Sequence, residues 1–246
     1  AMDTANTYTD VTPFIYVKKG TYTGNTSGAN SFEIKGNVRA YGGFNGNEGP
    51  YFDLNDRNPS NVSTLNGSNA RRVLYQSEDF TADRPSLFDG FTIRGGTVDN
   101  VGEGGAAYIR RNCTLRNCKI TANNASISGT TSNIIRSGVA VYNNGGTLEN
   151  CEIYNNNITL SGTGSGHKVW GVGVYSTNGT IENCTLRNNT TVYDGAGNNW
   201  NVYGGGIYLE NNNTLTNSSI TLNSASDGGG VCVRNTNNST FVSVSN

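Results

Sequence analysis

The sequence predicts an all-β protein: a single-stranded right-handed parallel β-helix, a solenoid of about 24-residue coils with insertions of about ten residues on one edge. The first ground is a Gly-rich segment that ends in tyrosine and recurs at Tyr108, Tyr142, Tyr175 and Tyr208, every 33 or 34 residues. The second is a companion segment behind each of these. It reads Thr114-Leu115-Arg116-Asn117-Cys118-Lys119-Ile120, and its pattern returns at Thr147–Ile153, Thr180–Leu186 and Thr214–Ile220. The third is composition: of 246 residues, 39 are Asn, 33 Gly, 28 Thr and 21 Ser, and only 34% are hydrophobic. That apolar share is low for a globular core. It suffices for stacked coils, each of which completes a continuous core laid down by its neighbours.

Each coil opens on the Gly-rich strand, as in Gly138-Val139-Ala140-Val141-Tyr142. Strand alternation puts Ala107, Val141, Val174, Ile207 and Val231 on one side and the tyrosines on the other. With the aliphatic row inside, Tyr108, Tyr142, Tyr175 and Tyr208 form an outward aromatic ladder able to take an extended glycan or peptide. With the register reversed they are core rungs, and both readings stand. In the companion strand Leu115, Cys118 and Ile120 alternate with Arg116 and Lys119, apart from a one-residue slip at Asn117. The slip returns at Asn150, Asn183 and Asn217, which suggests a tight bend with Asn in the left-handed region. Asn123, Asn156, Asn189 and Asn223 follow, each able to hydrogen-bond to the next rung. Nothing has helical period.

From Tyr208 to Cys232 the spacing falls to 24. The longer units therefore carry insertions, about residues 125–136, 158–169 and 190–202, expected as loops on one edge of the stack. The chain is one domain, 1–246, with N-terminal coils over 1–100 and regular repeats over 101–246. It ends at Phe241-Val242-Ser243-Val244-Ser245-Asn246, in mid-coil with no polar cap. The expectation is that the native protein continues past Asn246, or that a partner covers this edge, with end-to-end self-association as one way to do so.

With 17 basic and 18 acidic residues, a net charge of −1 and 14% charged residues, no net field favours nucleic acid or an anionic membrane. No apolar run approaches the roughly 18 residues that span a bilayer. The opening Ala1-Met2-Asp3-Thr4 has no basic segment and no apolar signal core, so any secretion signal is expected to have been removed. Five cysteines, at 113, 118, 151, 184 and 232, make an incomplete disulfide framework. One per repeat, they are expected as unpaired core thiols. No zinc spacing is present, and no cofactor is expected. Asp53-Leu54-Asn55-Asp56-Arg57 is the one segment whose oxygens suit Ca²⁺, although such turns more often serve only themselves.

Rungs side by side set Arg116 against Glu149 and Lys119 against Glu152, solvated cross-strand pairs of at most about 1 kcal/mol. Glu149 and Glu182 are neighbours of like charge, but their row lacks the surroundings of a carboxylate pair at work in glycoside hydrolysis. The insertion edge is richer. It carries His167, Lys168 and Trp170 in one unit and Tyr193, Asp194, Trp200 and Tyr203 in the next, including the sole histidine and both tryptophans. Trp170, Trp200, Tyr193 and Lys168 suit the apolar face and hydroxyls of a sugar, and His167 with Asp194 is the weak candidate for an acid–base pair. The plain alternative is that the tryptophans pack the loops onto the coils.

The pairing of Gly204-Gly205-Gly206-Ile207-Tyr208 with Leu148-Glu149-Asn150-Cys151-Glu152-Ile153 resembles the repeats of chlamydial polymorphic outer-membrane proteins. It also resembles pectate-lyase-like β-helix proteins on the surface of Bacteroidetes-type bacteria. Tyr41-Gly42-Gly43-Phe44-Asn45-Gly46-Asn47-Glu48, Thr64-Leu65-Asn66-Gly67 and Phe88-Asp89-Gly90-Phe91-Thr92-Ile93 look like that group's opening coils. The resemblance spans nearly the whole chain but is architectural, and fold alone decides little about chemistry. The repeats, the absence of a carboxylate cluster and the aromatic loops lead to the expectation of a secreted or surface protein for adhesion or glycan binding, non-catalytic, with a polysaccharide or host cell-surface glycan as partner. The alternatives are a carbohydrate-active enzyme (polysaccharide lyase or glycoside hydrolase) and a passive spacer of a larger surface protein.

Overall fold

The computed structural model describes residues 7, 12–49, 52–99, 102–195, 199–234 and 242–245, the last four by their backbone. Among them, regular structure is strand throughout, apart from one 3₁₀ turn at Leu54–Asp56. The strands pair in parallel and stack as a right-handed β-helix with three faces. One face is an eight-stranded sheet running from Phe14–Lys18 through Cys113–Arg116, Thr147–Glu149, Thr180–Glu182 and Asn213–Thr216 to Val242–Ser245. The other two belong to a thirteen-stranded sheet and meet along the long strand Ser63–Tyr75. One wing holds Lys119–Thr121, Glu152–Tyr154 and Thr185–Arg187. The opposite wing holds Ala107–Arg110, Val141–Asn144, Val174–Thr177, Ile207–Glu210 and Val231–Arg234.

The repeat explains the register. Leu115, Leu148, Ile181 and Leu215 lie in one row, each facing inward and buried. Ile120, Ile153 and Leu186 form a second buried row, and Cys118, Cys151 and Cys184 a third. Full burial of one such aliphatic chain stabilises by about 1.5–3 kcal/mol, and each coil adds several. The bends fall where the one-residue slips are: Asn117, Asn150, Asn183 and Asn217 have φ of 51°, 52°, 52° and 48°. Asn155 and Asn188 turn the next corner in the same way, but Ala122 and Leu222 hold equivalent left-handed positions without an amide to ease them.

Inside that second corner the asparagines form a buried ladder. The side-chain amide of Asn123 donates to the side-chain oxygen of Asn156 at 3.0 Å, Asn156 to Asn189 at 2.8 Å and Asn189 to Asn223 at 2.9 Å. Each also donates to a backbone carbonyl of the preceding coil, those of Ile93, Ile120 and Ile153.

The insertions depart from the expected loops. They fold as two further parallel sheets, Asn124–Ile127 with Asn157–Ser161 and Thr190–Asp194, and Ile135–Ser137 with Lys168–Trp170 and Asn201–Tyr203. The two sheets enclose their own core, in which Ile127, Ile158, Leu160, Val169, Trp200 and Val202 pack together. Three consecutive insertions of similar length pair with one another exactly as the coils do, so the edge becomes a side lobe with its own interior. Of the terminal segment, Phe241 and Asn246 lie outside the described residues, and Val242–Ser245 pairs with Asn213–Thr216.

Candidate ligand-binding site

The lobe meets the body of the helix at a glycine corner. Gly138, Gly171 and Gly204 each sit at positive φ, 57°, 72° and 70°, between a lobe strand and a body strand. At Gly171 a Cβ would stand 2.0 Å from the carbonyl oxygen of Val174, so no other residue fits this turn. The sharp corner opens an angle between the outer faces of the two sheets. One side of this trough is the row Tyr75, Tyr108, Tyr142, Tyr175 and Tyr208, in register from coil to coil. Facing it is the column Glu103, Ser137, Trp170, Tyr203 and Asp227, also in register.

Ala107, Val141, Val174 and Ile207 are fully buried, which decides the open question of direction: the tyrosines face outward. Their rings stack face to face. Centroids are 4.7 Å apart for Tyr108–Tyr142 and for Tyr142–Tyr175, and 5.6 Å for Tyr175–Tyr208, with interplanar angles of 9°, 15° and 11°. Tyr75, Tyr108 and Tyr142 are half-buried, whereas Trp170 and Tyr203 flank Tyr208 and help to bury it. The Tyr175 hydroxyl donates to the Glu210 carboxylate. Burial, with that hydrogen bond second, pushes the Tyr175 phenol well above the ordinary range, and burial does the same for Tyr142. Both stay neutral donors at any physiological pH.

Charge sits at the two ends. At one, the Arg72 guanidinium lies 4.7 Å from the Tyr75 ring centroid and 5.1 Å from that of Tyr108, held by the carbonyls of Glu103 and Gly104 and the side chain of Asn30. Burial raises the neighbouring Glu103 carboxyl against the pull of Arg72. At the other end Lys168, Trp170, Tyr203, Tyr208, Cys232 and Arg234 line a depression of about 400 Å³.

The candidates on the insertion edge divide. Lys168 and Trp170 project from the same face of one strand into the trough. Trp200 turns into the lobe instead. It is 8% exposed, donates its indole N–H to the carbonyl of Gly164 at 2.7 Å, and stacks on Tyr193 at 6.2 Å. His167 is buried beside it, ring centroids 5.8 Å apart, and its Nδ1 accepts the backbone N–H of Ile134. Burial, then the charge of Arg136, lowers its pKa. Asp194 is exposed at the end of the outer lobe strand, and among the described residues no hydrogen bond or ion pair joins it to His167. Asp53 accepts the N–H of Asn55 as the cap of the 3₁₀ turn. No group of three or more His, Cys, Asp or Glu side chains poised around a metal occurs among the described residues.

Elsewhere the expected charge ladders are present with one change of partner. Lys119 reaches Glu152 at 3.9 Å. Arg116, in register with Glu149, turns the other way to Asp89 at 2.7 Å. Asp89 is 1% exposed and also receives Arg57 at 2.7 Å.

Tyr75, Arg72, Glu103 and Arg234 are the trough residues that the sequence reading passed over. Tyr75 stands one period before Tyr108, and Arg234 holds in the last coil the place of Glu210. Extending the repeat one coil each way would have found both. Arg72 and Glu103 carry no periodic signal.

A family model for the right handed beta helix region matches residues 86–245. No curated protein and no solved structure matches the chain.

Proposed function

Since this chain belongs to the right-handed β-helix family, whose fold accommodates many chemistries, we propose from its trough that it is a non-catalytic glycan-binding protein that holds an extended saccharide along the tyrosine ladder. The observation that carries the reading is the outward stack Tyr75–Tyr108–Tyr142–Tyr175–Tyr208 facing Trp170 and Tyr203. Stacked on one another, the ladder rings turn their edges and phenol groups to the trough. The hydroxyls of a sugar therefore meet the phenols, while its apolar face packs against the walls of Trp170 and Tyr203. The ladder repeats at the rung spacing of a parallel sheet, about 4.8 Å. A polymer laid along the axis meets its open part at Tyr75, Tyr108 and Tyr142 before reaching the Trp170 and Tyr203 walls that cover Tyr208.

The carboxylates of the facing column argue for binding over hydrolysis. Glu103 and Asp227 stand at its opposite ends with Ser137, Trp170 and Tyr203 between them. Four rungs separate them by roughly 19 Å, against about 5–9.5 Å for the paired acids of glycoside hydrolysis, and Glu210, the carboxylate on the ladder side, is engaged by the Tyr175 hydroxyl. Binding of this kind suits an adhesin that is secreted or displayed on a cell surface.

A glycan array probed with the purified chain, followed by mass analysis of each bound saccharide, tests the reading. Bound saccharides of unchanged mass are expected, and Tyr142→Ala and Trp170→Ala should each weaken binding at least about tenfold while melting with the parent. Shortened or unsaturated products would make the trough catalytic. Binding that both variants leave untouched would remove the trough from consideration.

A further inference from the structure

The tyrosine ladder stops before the coils do. The position after Tyr208 is Cys232, paired with it in register, and a thiol leaves empty the space that a phenol ring fills on every earlier rung. The result is the depression of about 400 Å³, within the roughly 300–1,000 Å³ typical of small-ligand sites. Cys232 forms its floor beside Tyr208, which is almost fully covered, and Trp170 and Tyr203 form its aromatic walls.

Its rim is cationic. Lys168 is exposed, and among the described residues it makes no side-chain hydrogen bond or ion pair. Arg234 is exposed too and lines the depression on the side of Tyr208. Two carboxylates stand nearby, and neither lines the depression. Glu210 is engaged by the Tyr175 hydroxyl, and Asp227 lies in the column beyond Tyr203. Burial, then the charge of Asp227, raises the Cys232 thiol, so the floor brings no negative charge.

We propose that this depression is a subsite for a sugar ring bearing an anionic substituent, a carboxylate or a sulfate. The ring sits over Cys232 against the partly exposed rings of Trp170 and Tyr203, and the anion is held between Lys168 and Arg234. The inference rests on the glycan-binding reading and adds selectivity to it.

The test uses sets of oligosaccharides that share one backbone and differ only in being neutral, uronate-bearing or sulfated, titrated calorimetrically against the full chain. The anionic members are expected to bind about tenfold more tightly than the neutral one, the size of one charge-assisted hydrogen bond at a partly buried site. Which of them gains tells carboxylate from sulfate. Lys168→Gln and Arg234→Gln should each cut the ratio of anionic to neutral affinity several-fold, and added salt should erode only the anionic advantage. Equal affinity for neutral and anionic members, or a preference that survives in the double variant, overturns the subsite and leaves glycan binding standing. Failure of every member of every set to bind overturns both. Because both side chains are exposed, thermal unfolding of the variants should match the parent and keeps a folding defect apart from a lost contact.

Discussion

Asn123 donates its side-chain amide to the side-chain oxygen of Asn156 at 3.0 Å, and both residues are fully buried. Asn156 passes the contact on to Asn189, donates to the carbonyl of Ile120 and accepts the backbone N–H of Asn123. Asn156→Ala therefore takes an acceptor from the backbone and side chain of Asn123 and a donor from the Ile120 carbonyl and the Asn189 side-chain oxygen, buried polar groups of the two flanking coils. A loss of about 2–3 kcal/mol is expected, read as a lower urea midpoint. A loss under about 0.5 kcal/mol would mean that the ladder contributes register but little stability.

The left-handed corners give the opposite prediction. Ala122 and Leu222 occupy at φ 52° and 56° a position that Asn155 and Asn188 fill in the neighbouring coils. Asn tolerates this backbone better than Ala or Leu. Ala122→Asn and Leu222→Asn should each stabilise the protein by about 0.5–1 kcal/mol, since both positions are exposed and have room for the amide. Unchanged or lower melting temperatures would show that something other than backbone strain governs those corners.

Asp89 ties acid stability to one carboxylate. Burial alone would raise its pKa, but the hydrogen bonds from Arg57, Asn117 and Arg116 outweigh it and hold the carboxyl below its ordinary value. A carboxyl depressed in the folded state stabilises fully above its unfolded pKa, and that contribution is lost as pH falls through the folded value. Stability should therefore decline below about pH 4 in the parent. Asp89→Asn should cost about 3 kcal/mol at neutral pH by stripping Arg57 and Arg116 of their partner, and it should flatten the acid decline. Parallel pH–stability curves for parent and variant would exclude Asp89 as the group responsible.

The two tryptophans should fail differently. Trp200 fills the lobe interior, so Trp200→Ala should destabilise by about 3–5 kcal/mol and speed amide exchange in Asn157–Ser161 and Asn201–Tyr203 ahead of the body strands. Trp170 stands in the trough, and its removal should be felt in binding. Equal loss of stability in both variants would argue that lobe and trough are one cooperative unit.

Thiol chemistry offers a direct check on the stack. Cys113, Cys118, Cys151 and Cys184 are about 1% exposed and none is in a disulfide. Hydrogen bonds to Cys118 and Cys184, with burial, hold the Cys151 thiol well above its ordinary pKa. Under native conditions iodoacetamide should modify Cys232 alone, and the other four only after unfolding. Early modification of Cys151, mapped by peptide mass, would contradict the buried row.

The coils, their right-handed stack and the buried rows were legible in the sequence, because a solenoid places equivalent residues in register and periodicity in the chain becomes contact in space. Asn117, Asn150, Asn183 and Asn217 could be read as bends for the same reason. The local sequence left three things undecided, and in each the deciding contact lies between segments rather than within one. Alternation separates Val141 from Tyr142 but cannot say which faces the core; the buried aliphatic rows opposite decide it. The insertions carry no strong repeat of their own, so their strands exist only because three of them pair across coils and share a core around Trp200. The depression beside Tyr208 arises from an absence, a cysteine where the ladder would have a ring, and it is enclosed only because the Gly171 and Gly204 corners swing Trp170 and Tyr203 around to wall it.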